Sequence, residues 1–119
     1  KYIVLFEKNF RRNFIHIKDV AETFHFAIKN NHKLKNNVYN LGLSSANLSK
    51  YQLCLQIKKH IKDLKIILSN VSKDPDKRDY IVSNKKLEKT GWKPKYSLDY
   101  GIKELIKKLK DSNFRPGNY

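Results

Sequence analysis

At 119 residues the chain holds one domain's worth of sequence, enough for a core but small for a complete two-lobed enzyme. Its formal charge of +15 invites a polyanion partner, yet the 26 basic residues are 22 lysines and 4 arginines spread over the whole length, among abundant asparagine and isoleucine. An AT-rich coding bias produces that composition, and a dedicated nucleic-acid binder clusters arginines with stacking aromatics, so solvated lysine faces are expected and nucleic acid is disfavoured.

Tyr2 to Phe6 alternates weakly and predicts a strand, Glu7-Lys8-Asn9 a turn, and Phe10 to Ile17 a second strand, together a hairpin. Asp19 with Glu22 has the form of a capping box, and Val20, Phe24, Ala27 and Ile28 then share one helical face. That predicts a helix from Asp19 to about Asn30. Val38 to Gly42 predicts a short strand that stops at a glycine. Ser49 and Gln52 make a second capping box, and Leu53, Ile57, Ile61 and Leu64 recur at helical spacing, so a helix is expected from Ser49 to about Lys62 with Cys54 as core filler.

Lys65 to Ser69 reads as a short buried strand. Asp74-Pro75-Asp76 excludes regular structure from the loop that follows, and Arg78 to Ser83 reads as extended. Ser83 is placed to cap a short helix that Gly91 stops, and Ser97 to cap the last helix, whose Leu98, Ile102, Leu105, Ile106 and Leu109 form an apolar stripe. Residues 1–110 are expected to form one unit, with 111–119 a loose tail. Short strands alternating with about four helices predict an α/β fold.

The apolar opening is far shorter than the roughly 20 residues of a membrane span and lacks the layout of a signal peptide. The single cysteine cannot form an internal disulfide, and no Cys/His cluster has metal-ligand spacing. A soluble cytoplasmic protein without a membrane partner or a metal is expected. The chain begins at Lys1 and contains no methionine, which reads as a piece of something longer.

Several segments carry a family resemblance, in order along the chain. The run from Arg12 to Ala21, Arg-Asn-Phe-Ile-His-Ile-Lys-Asp-Val-Ala, resembles the R-D-F-I-H-V-x-D-V-A signature of the extended short-chain dehydrogenase/reductases, the NAD-dependent nucleotide-sugar epimerases and dehydratases. Tyr39-Asn40-Leu41-Gly42 resembles their Y-N-V-G strand, which joins the edge of the dinucleotide-binding sheet. Tyr80 to Leu87 stands where they have a D-x-S-K-A-like helix start. Gly91-Trp92-Lys93-Pro94 resembles their L-G-W-x-P turn, and Ser97 to Ile102 their S-L-E-x-G-L opening.

The resemblance implies the C-terminal substrate-binding portion of an extended Rossmann-type epimerase or dehydratase, without the N-terminal dinucleotide-binding sheet. The implied partners are a nucleoside-diphosphate sugar and the missing N-terminal Rossmann portion of the same enzyme, with a homodimer left open. No G-x-x-G-x-x-G fingerprint and no Y-x-x-x-K pair is present, so no catalytic residue is expected here. NAD or NADP is expected in the parent enzyme and not on this piece.

The arginines are the candidates for binding chemistry. In a chain whose charge is mostly lysine, an arginine suggests a site wanting a planar fork that grips two oxygens, as a diphosphate offers. Arg12 and Arg78 each begin an extended stretch between elements, and family members have arginines at or near such positions on the diphosphate. Lys73 is a rival for the same task, and Asn47 sits at a strand end where α/β sheets place ligands. An ion pair with Asp19 or Asp79 is the plain alternative for an arginine. Histidine is a common acid or base, but His16 has no nucleophile near it in sequence, so it is expected to order the strand-to-helix junction, and Asp19 to cap the helix. Two other readings remain: a basic module binding nucleic acid or another polyanion, and a non-catalytic partner of a separately encoded Rossmann half.

Overall fold

The computed structural model describes residues 1–71 and 75–111, so Lys73 and the expected loose tail beyond Asp111 lie outside the described residues. Two small sheets and five helices make up an α/β arrangement among them. Strand β1 (Tyr2–Leu5) pairs in parallel with β4 (Lys65–Leu68), Leu5 opposite Leu68. Strand β2 (Arg11–Asn13) pairs antiparallel with β3 (Asn47–Ser49), Arg12 opposite Leu48.

The expected N-terminal hairpin is therefore not formed. Glu7 adopts a φ of 47°, the Phe10 N–H returns to the Glu7 carbonyl at 3.1 Å, and the chain turns away before β2 begins. Pairing follows composition: the apolar β1 joins the apolar β4, and the polar Arg-Arg-Asn run joins Asn-Leu-Ser. Strand β4 is nonetheless mostly exposed, not buried as its sequence suggests.

Helix α1 (Ile17–Lys29) opens two residues earlier than predicted, because His16 is its N-cap: Nδ1 accepts the Lys18 N–H at 3.1 Å. The Asp19 and Glu22 capping box is absent. Asp19 lies within the first turn and instead accepts the N–H groups of Lys95 and Tyr96, while Glu22 pairs with Lys95 Nζ at 2.9 Å. Two backbone donors reaching the buried Asp19 carboxylate outcompete a local cap, since a buried charge needs its hydrogen bonds more than an exposed helix end does.

A short helix α2 (Asn31–Leu34) buries Leu34. Residues 38–42 form no ladder among the described residues, and Val38 is 85% exposed. The Ser49 and Gln52 capping box that opens α3 (Lys50–Lys58) has both its bonds, at 2.8 and 3.1 Å, and the helix ends earlier than its apolar spacing predicts. Cys54 is buried there, and that burial pushes its thiol pKa up.

Arg78 to Ser83 is not a ladder strand either. The Asn47 side chain takes both backbone groups of Val82, receiving its N–H at 2.8 Å and donating to its carbonyl at 2.9 Å, so one amide replaces a strand partner. Helix α4 (Lys85–Glu88) follows Asn84 and not Ser83, and Gly91 takes a φ of 96° just beyond it, as a C-terminal glycine should. Helix α5 (Leu98–Lys110) is capped by Ser97, whose Oγ accepts the Tyr100 N–H at 3.1 Å. Leu43, Ala46, Cys54, Leu87, Trp92 and Ile102 are among the buried core residues.

Candidate functional site: an arginine corner

Arg11 and Arg12 are neighbours on β2 and take different anions. Arg11 forks Asp79, with Nε 3.0 Å from Oδ1 and Nη2 3.2 Å from Oδ2, and its own N–H adds a bond of 2.9 Å to Oδ1. Arg12 reaches Asp76 instead: Nη2 lies 3.1 Å from Oδ1 and 3.3 Å from the Asp76 carbonyl, and Nη1 donates to the Arg11 carbonyl at 2.8 Å. Its guanidinium sits 5.4 Å from the centroid of the Tyr80 ring. The side chain of Arg12 is 13% exposed, against 51% for Arg11, so the candidate from the motif is the better held of the two.

Arg78 shares the same carboxylate. Its Nε is 2.7 Å from Asp76 Oδ1 and its Nη2 2.6 Å from Oδ2. Two of the four residues singled out in sequence thus converge on one anion. The Arg78 hydrogen bond, with Arg12 beside it, holds the Asp76 carboxyl well below the usual carboxylate range, and Arg11 does the same to a lesser degree for Asp79. The ion-pair partners anticipated in sequence do not apply to Arg12: Asp79 belongs to Arg11, and Asp19 is buried elsewhere.

Asn47, the third candidate, lies on β3 behind this corner, its amide committed to Val82 and, through Oδ1, to Asn13 Nδ2 at 3.1 Å. Asn13 in turn clamps Leu43, accepting its N–H and donating to its carbonyl, each at 2.9 Å. Gly42 is pressed against that side chain: a Cβ there would collide with Asn13 Oδ1 and stand 2.8 Å from Asn13 Cγ. Asn84 is 1% exposed, and its Oδ1 has no partner among the described residues. Sequence reasoning overlooked Asn13 and Asn84; the available signal was an asparagine at the edge of each element.

The second cluster surrounds His16. Because Nδ1 accepts the Lys18 N–H, the ring proton belongs on Nε2, which donates to Glu104 Oε2 at 2.7 Å. Lys18 Nζ reaches the other oxygen of Glu104 at 3.0 Å, and Lys18 with His16 lowers the Glu104 pKa. The ring stacks on Tyr96 at 4.7 Å and meets Tyr100 edge-on at 5.7 Å. Both ring nitrogens are occupied, Nδ1 in capping α1 and Nε2 in holding it to Glu104 on α5, in line with an ordering role. The cluster borders a cavity of about 450 Å³ between α3 and α5, lined by Phe14, Leu53, Ile57, Ile102 and Leu105. No group of three metal-ligating side chains occurs among the described residues.

No family profile matches the chain. Solved structures do match it. A GDP-6-OMe-4-keto-L-xylo-heptose reductase from Campylobacter jejuni superposes with a TM-score of 0.75 at 24% identity, over 95% of this chain and 35% of that one. A GDP-D-glycero-L-gluco-heptose synthase from the same organism, solved in the presence of NADPH, gives 0.69 at 23% identity over 90% and 32%. The dTDP-glucose 4,6-dehydratase of Bacillus anthracis, in complex with NAD, gives 0.66 at 21% identity over 95% and 36%.

The chain shares the fold of one part of each of these structures. It spans about a third of the length of the structures it matches. The described residues hold two sheets of two strands each.

Proposed function

We propose that the chain is the C-terminal, nucleotide-sugar-binding part of an NAD- or NADP-dependent epimerase or dehydratase, and that Arg12 and Arg78 grip the diphosphate of the donor. The convergence of these two guanidiniums on a single two-oxygen anion carries the reading. A diphosphate offers the same kind of acceptor, with more charge and more oxygens. Lys73 and Asn47 complete the proposed set, Asn47 through its hold on the backbone beside Tyr80. Solved structures of like fold that are named for GDP- and dTDP-sugars support the substrate class.

The chemistry assigned to this chain is binding and orientation. Its four glycines have no G-x-x-G-x-x-G spacing, so its residues do not fit a dinucleotide, and NAD or NADP belongs in this reading to the rest of the enzyme. The proposed partner is the N-terminal Rossmann portion of the same enzyme. Helix α1 exposes Ile17, Phe24 and Ile28 at 73, 69 and 76%, and the nearby 38–42 segment is without a ladder, which together leave a helix and a would-be strand uncovered. Parallel sheets covered on both faces are what such pairs normally complete. No helix among the described residues is long and apolar enough to cross a membrane, and a cytoplasmic setting goes with the proposal.

Titration of the intact enzyme with nucleoside-diphosphate sugars tests it. Arg12→Ala is expected to weaken binding by about 1–3 kcal/mol, the size of a charge-assisted contact. Unchanged affinity would overturn the assignment, and competition by DNA in place of a nucleotide sugar would favour the polyanion reading.

A further inference from the structure

Asp76 stands between two guanidiniums. Its Oδ1 stands 2.7 Å from Arg78 Nε and 3.1 Å from Arg12 Nη2, and its Oδ2 stands 2.6 Å from Arg78 Nη2. That is a bridge from one anion to two guanidiniums, the contact a phosphoryl group makes with a pair of arginines. The adjacent pair is built differently, since Arg11 and Asp79 form a closed fork of one cation to one anion. At Asp76 two guanidiniums meet one carboxylate among the described residues. The diphosphate bridge of a nucleotide sugar, with two charges and four non-bridging oxygens, matches two guanidiniums better than one carboxylate does.

We infer that Asp76 is a resident anion, holding the diphosphate's place at the Arg12 and Arg78 guanidiniums and giving way when a phosphoryl group enters. This rests on the diphosphate reading of the two arginines given above. The exchange is easy in structural terms. The Asp76 side chain is 39% exposed and passes into water on release. Arg12 keeps its other supports, the Arg11 carbonyl, the Asp76 carbonyl and the face of Tyr80, so it stays aimed at the vacated position. The native carboxylate thus competes with the ligand and keeps affinity below what the arginine pair alone would give.

Titration calorimetry of the full chain with inorganic pyrophosphate, at fixed ionic strength, separates the alternatives. Asp76→Asn is expected to tighten binding about 2–5-fold, the worth of one exposed ion pair no longer in competition. Asp76→Ala should move the same way, which guards against a folding defect in either variant. Asp79→Asn removes an equal charge from Arg11 and should leave affinity unchanged; tightening of equal size there would reduce the effect to general electrostatics and overturn the inference. Weaker or unchanged binding in both Asp76 variants, while Arg12→Ala still weakens it, would make Asp76 a positioning residue and end the inference without touching the reading of the arginines. If Arg12→Ala had no effect in either the native or the Asp76→Asn background, the reading and the inference would fall together.

Discussion

Asp19 accepts the N–H groups of Lys95 and Tyr96 at 2.8 and 3.1 Å with 1% of its surface exposed, whereas Asp76 meets two arginines with 39% of its side chain in water. Both are carboxylates satisfied by more than one donor. What differs is the nature of those donors. Backbone N–H groups are fixed by the chain path and the Asp19 carboxylate they hold is buried, so that charge is a permanent part of the fold. Guanidiniums end long side chains that can exchange one anion for another, and here the Arg78 side chain and the Asp76 carboxylate both reach solvent. A carboxylate held by the backbone marks architecture, and one held by arginine side chains at the edge of solvent marks a place where a ligand can compete.

The comparison breaks first at Asp19. Asp19→Ala leaves two part-buried N–H groups without their acceptor and unpins α1 from the loop before α5, at an expected cost of about 3 kcal/mol. Chemical denaturation at neutral pH reads this directly, and a loss near zero would mean that the loop finds other acceptors. Next comes Gly42→Ala, at about 1–3 kcal/mol, the usual penalty for overpacking. Its new methyl group would run into Asn13, which cannot swing aside without giving up both bonds to Leu43. Here glycine is needed for room against a clamped side chain, and loss of stability without loss of the capped α3 would identify the clamp as the element that yields.

Much of this architecture was legible in the sequence because it is local. The Ser49 and Gln52 box, the Ser97 cap and the glycine after α4 each involve residues within a few positions of one another. What stayed hidden depends on distance along the chain. Asp19 looks like a cap until the donors 76 and 77 residues away are in view. The apparent hairpin dissolves because the true mate of β1 is β4, more than 60 residues on. At the arginine corner the residue type pointed to the right cations. Arg78 and Asp76 are two residues apart, but the Asp76 contact with Arg12 spans 64 and carries no sequence signal. Asn47 read as a ligand contact from its place at a strand end, and its hold on Val82 had no precedent in alternation or spacing.

The smallest expected effects come from acid and salt, and they sharpen the contrast between the two kinds of carboxylate. Asp76, Asp79 and Glu104 each have a folded-state pKa below the ordinary value, caused first by Arg78, Arg11 and Lys18 respectively. In the unfolded chain these groups return to about 4. The unfolded state therefore binds more protons once the pH falls below that value, so the stability these pairs contribute is complete above it and drains away as the pH drops through the lower folded values. Salt screens exposed pairs such as these, and the acid-linked loss should shrink in about 1 M salt, where the Debye length is near 3 Å. The cost of Asp19→Ala should not change with salt, because its partners are backbone dipoles. Unfolding midpoints for the native chain and for Asp79→Asn, taken across the acid range at low and high salt, decide it. A deficit in Asp79→Asn that persists undiminished at high salt would mean that the arginine corner is held as firmly as Asp19, and a ligand would then have no easily displaced anion to replace.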